Sequence, residues 1–118
     1  MTDAPIVVID KIALLGKTFP GLAEEELREI AELTRASTDP AGYFLCTEGA
    51  HEDTSYVIAA GEAVITKKIS EQEGERTIRK VGWGDYVGEM APIQNAPRAA
   101  SVRTLTDCTV LEISKADL

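Results

Sequence analysis

Histidine is nearly absent from this chain: His51 is the only one among 118 residues. One imidazole cannot build a metal centre that needs several, and it has no Ser or Cys partner with evident support for nucleophilic catalysis. Cysteine is almost as scarce. Cys46 and Cys108 stand in separate apolar, strand-like runs, with no CxxC spacing and no Cys/His cluster. That pattern excludes a zinc module and reads as two buried reduced thiols. No apolar run approaches the roughly 20 residues that cross a bilayer. The N-terminal stretch Met1-Thr2-Asp3-Ala4-Pro5 is acidic and puts no basic flank before an apolar segment. A signal peptide is not expected, and the cytoplasm is the default compartment. Positive charge is also in deficit, with 12 Lys and Arg against 20 Asp and Glu and a net charge of -8. A diffuse negative field repels nucleic acid and anionic lipid, so neither is an expected partner. Solubility alone accounts for the acidity. The field still sets a demand: an anionic ligand needs one local positive site strong enough to overcome the general repulsion.

The length fits one domain, residues 1–118, able to close a single core. Residues 9–36 read as helical. An apolar stretch from Ile9 to Leu15 is broken by Phe19-Pro20-Gly21-Leu22. Glu24-Glu25-Glu26 then places three acids in a first helical turn, where the helix dipole favours them. Leu27, Ile30, Ala31 and Thr34 recur at helical spacing, and Asp39-Pro40 cannot continue the helix. From Tyr43 the period changes. Over residues 43–113, about seven short β-rich runs alternate with Gly-containing turns, which predicts an α+β, mainly β domain built on a small barrel or double-sheet jelly roll. Residues 114–118 read as the start of a further helix. Trp83 reads as a packing residue rather than a stacking platform. Lys67, Lys68, Arg76, Arg79 and Lys80 read as solvated strand faces.

The segment from Gly84 to Val102 is poor in bulky residues where a strand should carry them. Gly88 allows close backbone approach to a ligand. Glu89 to Ile93 can form one helical turn whose first N–H groups act as anion donors. Asn95 tolerates a chain reversal and Pro97 fixes the approach to Arg98. Ala99 and Ala100 leave volume beside the guanidinium, which offers a planar fork of donors to phosphate oxygens. Glu89 and Arg98 meet only if the segment folds back on itself. An exposed loop carrying a Glu–Arg pair would account for the same residues, contributing about 0–1 kcal/mol.

Gly88-Glu89-Met90-Ala91 followed by Pro97-Arg98-Ala99-Ala100-Ser101-Val102 resembles the phosphate-binding cassette of the cyclic nucleotide-binding domain family. Phe19-Pro20-Gly21-Leu22, Glu48-Gly49, Tyr56-Val57-Ile58 with Gly61, and Gly84-Asp85-Tyr86 extend the likeness from about Ile9 to Leu118. The resemblance implies N-terminal helices followed by a jelly-roll β-barrel (a double-stranded β-helix). It implies a regulatory sensor that binds a cyclic nucleotide, does no chemistry of its own and needs no cofactor or metal. Arg98 would pair with the cyclic phosphate and Glu89 would take the ribose 2′-hydroxyl. The backbone of Met90, Ala91 and Ala99, beside Gly88, Ala100 and Ser101, would complete the cradle. The residue after the Arg favours cGMP in the family when it is Thr or Ser; Ala99 has no hydroxyl, which points to cAMP ahead of cGMP. Pro92, Val87 and Ala23 depart from the family pattern. The chain also ends at Leu118, where an effector domain or partner protein is expected to follow. Two other readings remain: a retained fold that serves as an interaction module without nucleotide, and a cupin-type metal enzyme, which the single histidine disfavours.

Overall fold

The computed structural model describes residues 9–88 and 97–114. Two helices open the fold. In α1 (Lys11–Thr18), the Asp10 carboxylate accepts the Ala13 N–H at 3.0 Å and so caps the first turn. Helix α2 (Glu24–Leu33) begins after Ala23, which has no side-chain oxygen to offer. There Glu26 reaches back to accept the Ala23 N–H at 3.0 Å, while Glu24, Glu25 and Glu26 sit at the positive end of the dipole.

Eight strands follow: β1 (Arg35–Asp39), β2 (Phe44–Cys46), β3 (Thr54–Ala60), β4 (Ala63–Ser70), β5 (Gly74–Val81), β6 (Tyr86–Val87), β7 (Ser101–Thr104) and β8 (Cys108–Ser114). They form two antiparallel four-stranded sheets, ordered β1-β8-β3-β6 and β2-β7-β4-β5. The mainly-β expectation holds. A closed barrel does not form among the described residues, because no ladder joins one sheet to the other.

The central strands of the first sheet, β8 and β3, are buried on both faces, and their sequence shows why. In β8, Cys108 and Val110 point between the sheets, packing with Ile58, Val81, Val87 and Val102. Leu111 and Ile113 belong to the other face, where Val57 meets Leu14, Leu15 and Leu27 of the helices. Both halves of the period-2 alternation are therefore apolar. In the second sheet Ala63 and Val102 join the core between the sheets, Val64, Thr66 and Ser101 are buried on the opposite face, and β5 is exposed from Glu75 to Lys80.

Three expectations need correction. The helical region was expected to reach residue 36, but α2 ends at Leu33, and Arg35 to Asp39 pair in register with Glu112 to Cys108 of β8. Thr34 closes the helix through its hydroxyl, which donates to the Ala31 carbonyl at 2.8 Å. Long-range pairing overrides local helical spacing here. The helix expected over residues 114–118 does not include Ser114, which ends β8 opposite Thr54; the other four residues lie outside the described ones. Trp83 is 53% exposed rather than packed. It rides at the tip of a tight turn in which the Gly82 N–H donates to the Asp85 carboxylate at 2.7 Å and the Asp85 N–H donates to the Gly82 carbonyl at 2.9 Å.

Candidate ligand-binding site

Gly88 and Arg98 stand at the two described ends of the predicted anion turn. Gly88 has φ +74, a conformation that side chains resist. A Cβ there would also meet Cys46 Sγ at 3.1 Å, the Thr54 carbonyl at 3.1 Å and Arg98 Nη1 at 3.3 Å. The glycine is thus required twice, by its backbone angle and by the guanidinium beside it.

Arg98 is not splayed into solvent: its side chain is only 8% exposed. Nη1 donates to the Gly88 carbonyl at 2.9 Å, Nη2 donates to the Thr54 carbonyl, and Nε donates to Glu52 Oε1 at 3.1 Å. One N–H on each terminal nitrogen is left over from these three bonds, which is the number a bidentate oxyanion takes. The backbone of Arg98 is gripped as firmly. Its N–H donates to the Ala50 carbonyl at 2.9 Å and its carbonyl accepts the Gly49 N–H at 2.9 Å. The β2–β3 loop and the first residue of β3 therefore hold the residue at both ends, main chain through Gly49 and Ala50, guanidinium through Glu52 and Thr54.

The rest of the predicted site divides into two sets. Ala99 is exposed and its carbonyl accepts from Lys67 Nζ at 2.7 Å. Ala100 is half-buried. Ser101 is buried at the start of β7, with its hydroxyl accepting the Glu48 N–H at 2.9 Å. Glu89, Met90 and Ala91, together with Pro92 and Asn95, lie outside the described residues.

Four participants were missed in the sequence: Glu52, the Thr54 carbonyl, Glu48 and Lys67. Glu52 had a faint signal, since it lies in the acidic turn beside His51. The Thr54 carbonyl has none, because a backbone acceptor carries no residue identity. Cys46, read as a buried thiol, proves to line the site from below. Burial pushes its pKa up to about 11, with the Arg98 guanidinium pulling it down and the Glu52 carboxylate raising it further. A buried protonated thiol is not a nucleophile. Among the described residues no group of three or more His, Cys, Asp or Glu could hold a metal ion. What the arrangement can do is bind: a fixed guanidinium, with three of its five N–H groups taken among the described residues, beside a side-chain-free backbone suits one small anion.

Comparison with known proteins agrees. The sequence model of the cyclic nucleotide-binding domain matches residues 40–118. The cAMP-dependent protein kinase regulatory subunit of Aspergillus fumigatus is 33% identical over 107 residues, covering 91% of this chain and 24% of that protein. The chain thus spans about a quarter of the length of such curated relatives. The regulatory domain of Toxoplasma gondii PKA, solved with cAMP, superposes with a TM-score of 0.81 at 29% identity, covering 91% of this chain and 41% of that one. A cyclic nucleotide-binding-like protein from Brucella abortus superposes with a TM-score of 0.76 at 32% identity, covering 92% of this chain and 93% of that one.

Proposed function

The chain belongs to the cyclic nucleotide-binding domain family, and we propose that it is a non-catalytic sensor that binds a cyclic nucleotide, cAMP ahead of cGMP. The observation that carries this reading is the buried guanidinium of Arg98, pinned by three acceptors among the described residues, which leave two of its five N–H groups for a ligand. In an acidic chain this is the local positive site that an anionic ligand needs. The cyclic phosphate pairs with Arg98 and with the N–H of Ala99, beside Gly88. Glu89 takes the ribose 2′-hydroxyl, and Met90 and Ala91 add backbone donors. The cAMP held by the Toxoplasma structure and the name of the Aspergillus relative support the choice of ligand. Ala99 supports it too, because it has no hydroxyl to offer a guanine edge. The bound state is passed to an effector domain or partner protein.

A second reading takes its support from Glu52. Its carboxylate already neutralises Arg98 at 3.1 Å, as it would in a fold kept for protein interaction alone. Isothermal titration at neutral pH separates the two. Saturable one-to-one binding of cAMP, with weaker binding of cGMP, is expected. An absence of heat at millimolar cAMP, with a flat thermal-shift response to cAMP, cGMP and cyclic dinucleotides, would favour the interaction module.

A further inference from the structure

Lys67 and Lys68 are neighbours on β4, yet they behave differently. Lys68 is a surface residue, paired with Glu71 at 2.7 Å on the exposed hairpin. Lys67 reaches across to the anion turn: its Nζ donates to the Ala99 carbonyl at 2.7 Å and to Glu48 Oε2 at 3.4 Å. Glu48 is itself anchored. Its Oε1 accepts the Lys68 N–H at 2.8 Å and its own N–H donates to Ser101 Oγ at 2.9 Å. The Lys68 N–H bond, followed by Lys67, holds the Glu48 carboxyl below its usual pKa.

Both peptide units that flank Ala99 are thereby held by their carbonyls. The Arg98 carbonyl is taken by the Gly49 N–H at 2.9 Å and the Ala99 carbonyl by Lys67. In a trans peptide the N–H points opposite its own C=O. Fixing the Arg98 carbonyl therefore aims the Ala99 N–H, and fixing the Ala99 carbonyl aims the Ala100 N–H. The Ala99 N–H meets no acceptor among the described residues. Each of the two N–H groups is thus held in one direction, and neighbouring N–H groups that share a concavity bind anions.

We infer that Lys67 is a positioning residue of the anion site: anchored by Glu48, it holds the peptide after Ala99 so that the Ala100 N–H faces the ligand's phosphate beside that of Ala99. This rests on the reading that the turn binds a cyclic nucleotide. The ammonium acts through the carbonyl it holds. Its effect should survive replacement by another donor and vanish with an apolar side chain.

The test compares wild type with Lys67→Met, Lys67→Arg and Glu48→Gln by titration with cAMP, together with amide spectra of Ala99 and Ala100 at saturation. Loss of one fixed donor predicts about tenfold weaker binding for Lys67→Met. The ligand-induced shifts of the Ala99 and Ala100 amides should shrink with it. Lys67→Arg should stay within about threefold of wild type and Glu48→Gln should fall between the two variants. The Lys67 side chain is 49% exposed, so the melting temperature should hardly move. Wild-type binding with Lys67→Met equally tight, or Lys67→Arg as weak as Lys67→Met, overturns the positioning role alone. No saturable binding by wild type overturns it together with the reading it rests on, and so distinguishes the two failures.

Discussion

Arg98 and the cations of β5 are the same chemistry in opposite surroundings. Arg76, Arg79 and Lys80 lie on an edge strand exposed from Glu75 to Lys80. There, charged side chains and the bulge opposite Ile65 and Thr66 guard the strand against pairing with another chain. Arg98 is nearly buried, and each of its nitrogens has a protein acceptor. Lys67 stands between the two, half exposed yet bonded to a backbone carbonyl. What separates these cations is the number of fixed acceptors around each. A solvated cation raises solubility and steers encounters, whereas a pinned one has already lost the orientational freedom that binding would otherwise remove.

The comparison is broken most directly at Arg98. Arg98→Ala removes the cation and leaves the Gly88 and Thr54 carbonyls and the Glu52 carboxylate without it. Calorimetric titration should show cAMP affinity reduced by at least about a hundredfold, and chemical denaturation should show about 2 kcal/mol of lost stability. Affinity retained within a factor of three would remove Arg98 from the site.

Gly88→Ala keeps the cation and disturbs its seat. The left-handed φ of +74 and the contacts near 3.1 Å to Cys46 Sγ and the Thr54 carbonyl predict a loss of about 1–3 kcal/mol by denaturant unfolding. An alanine tolerated without cost would mean that the guanidinium does not crowd this backbone.

Alkaline titration asks how dry the seat is. The Cys46 pKa is raised to about 11 and the Tyr56 pKa to about 12, in both cases chiefly by burial. Folded pKa values above the unfolded ones mean stability that is complete below about pH 9 and is lost as pH rises through the folded values. Melting temperature should therefore fall between about pH 9 and 11, and Cys46→Ala should flatten part of that slope. A slope unchanged in Cys46→Ala would show the thiol to be accessible to water. The smallest effect belongs to the other side of the comparison. Arg76→Gln with Arg79→Gln should leave stability within about 0.5 kcal/mol and cAMP affinity within twofold in the same titrations. A larger loss would mean that β5 takes part in binding.

Much of the fold was legible. The break at Pro20-Gly21, the acidic first turn of α2 and the short β-rich runs of β3, β4 and β8 are local signals, and the structure follows them. Strand β1 was not legible, because Arg35-Ala36-Ser37-Thr38-Asp39 has no strand-like alternation; its pairing with β8 makes it a strand. At the site, the residues with chemistry of their own, Arg98 and Gly88, could be picked out. Lys67 was visible only as one of several surface cations, since nothing in its neighbours tells that it reaches Ala99.

The amino-acid sequence by itself determined that this is a mainly-β member of the cyclic nucleotide-binding family, with one arginine set in a turn of small residues. Only the tertiary structure decided what holds that arginine. Glu52 and Thr54 lie 46 and 44 residues away along the chain. They reach Arg98 because the β2–β3 loop closes against the start of β7. Local periodicity carries the identity of a strand and the face it buries, but loop closure and register select its distant hydrogen-bond partners.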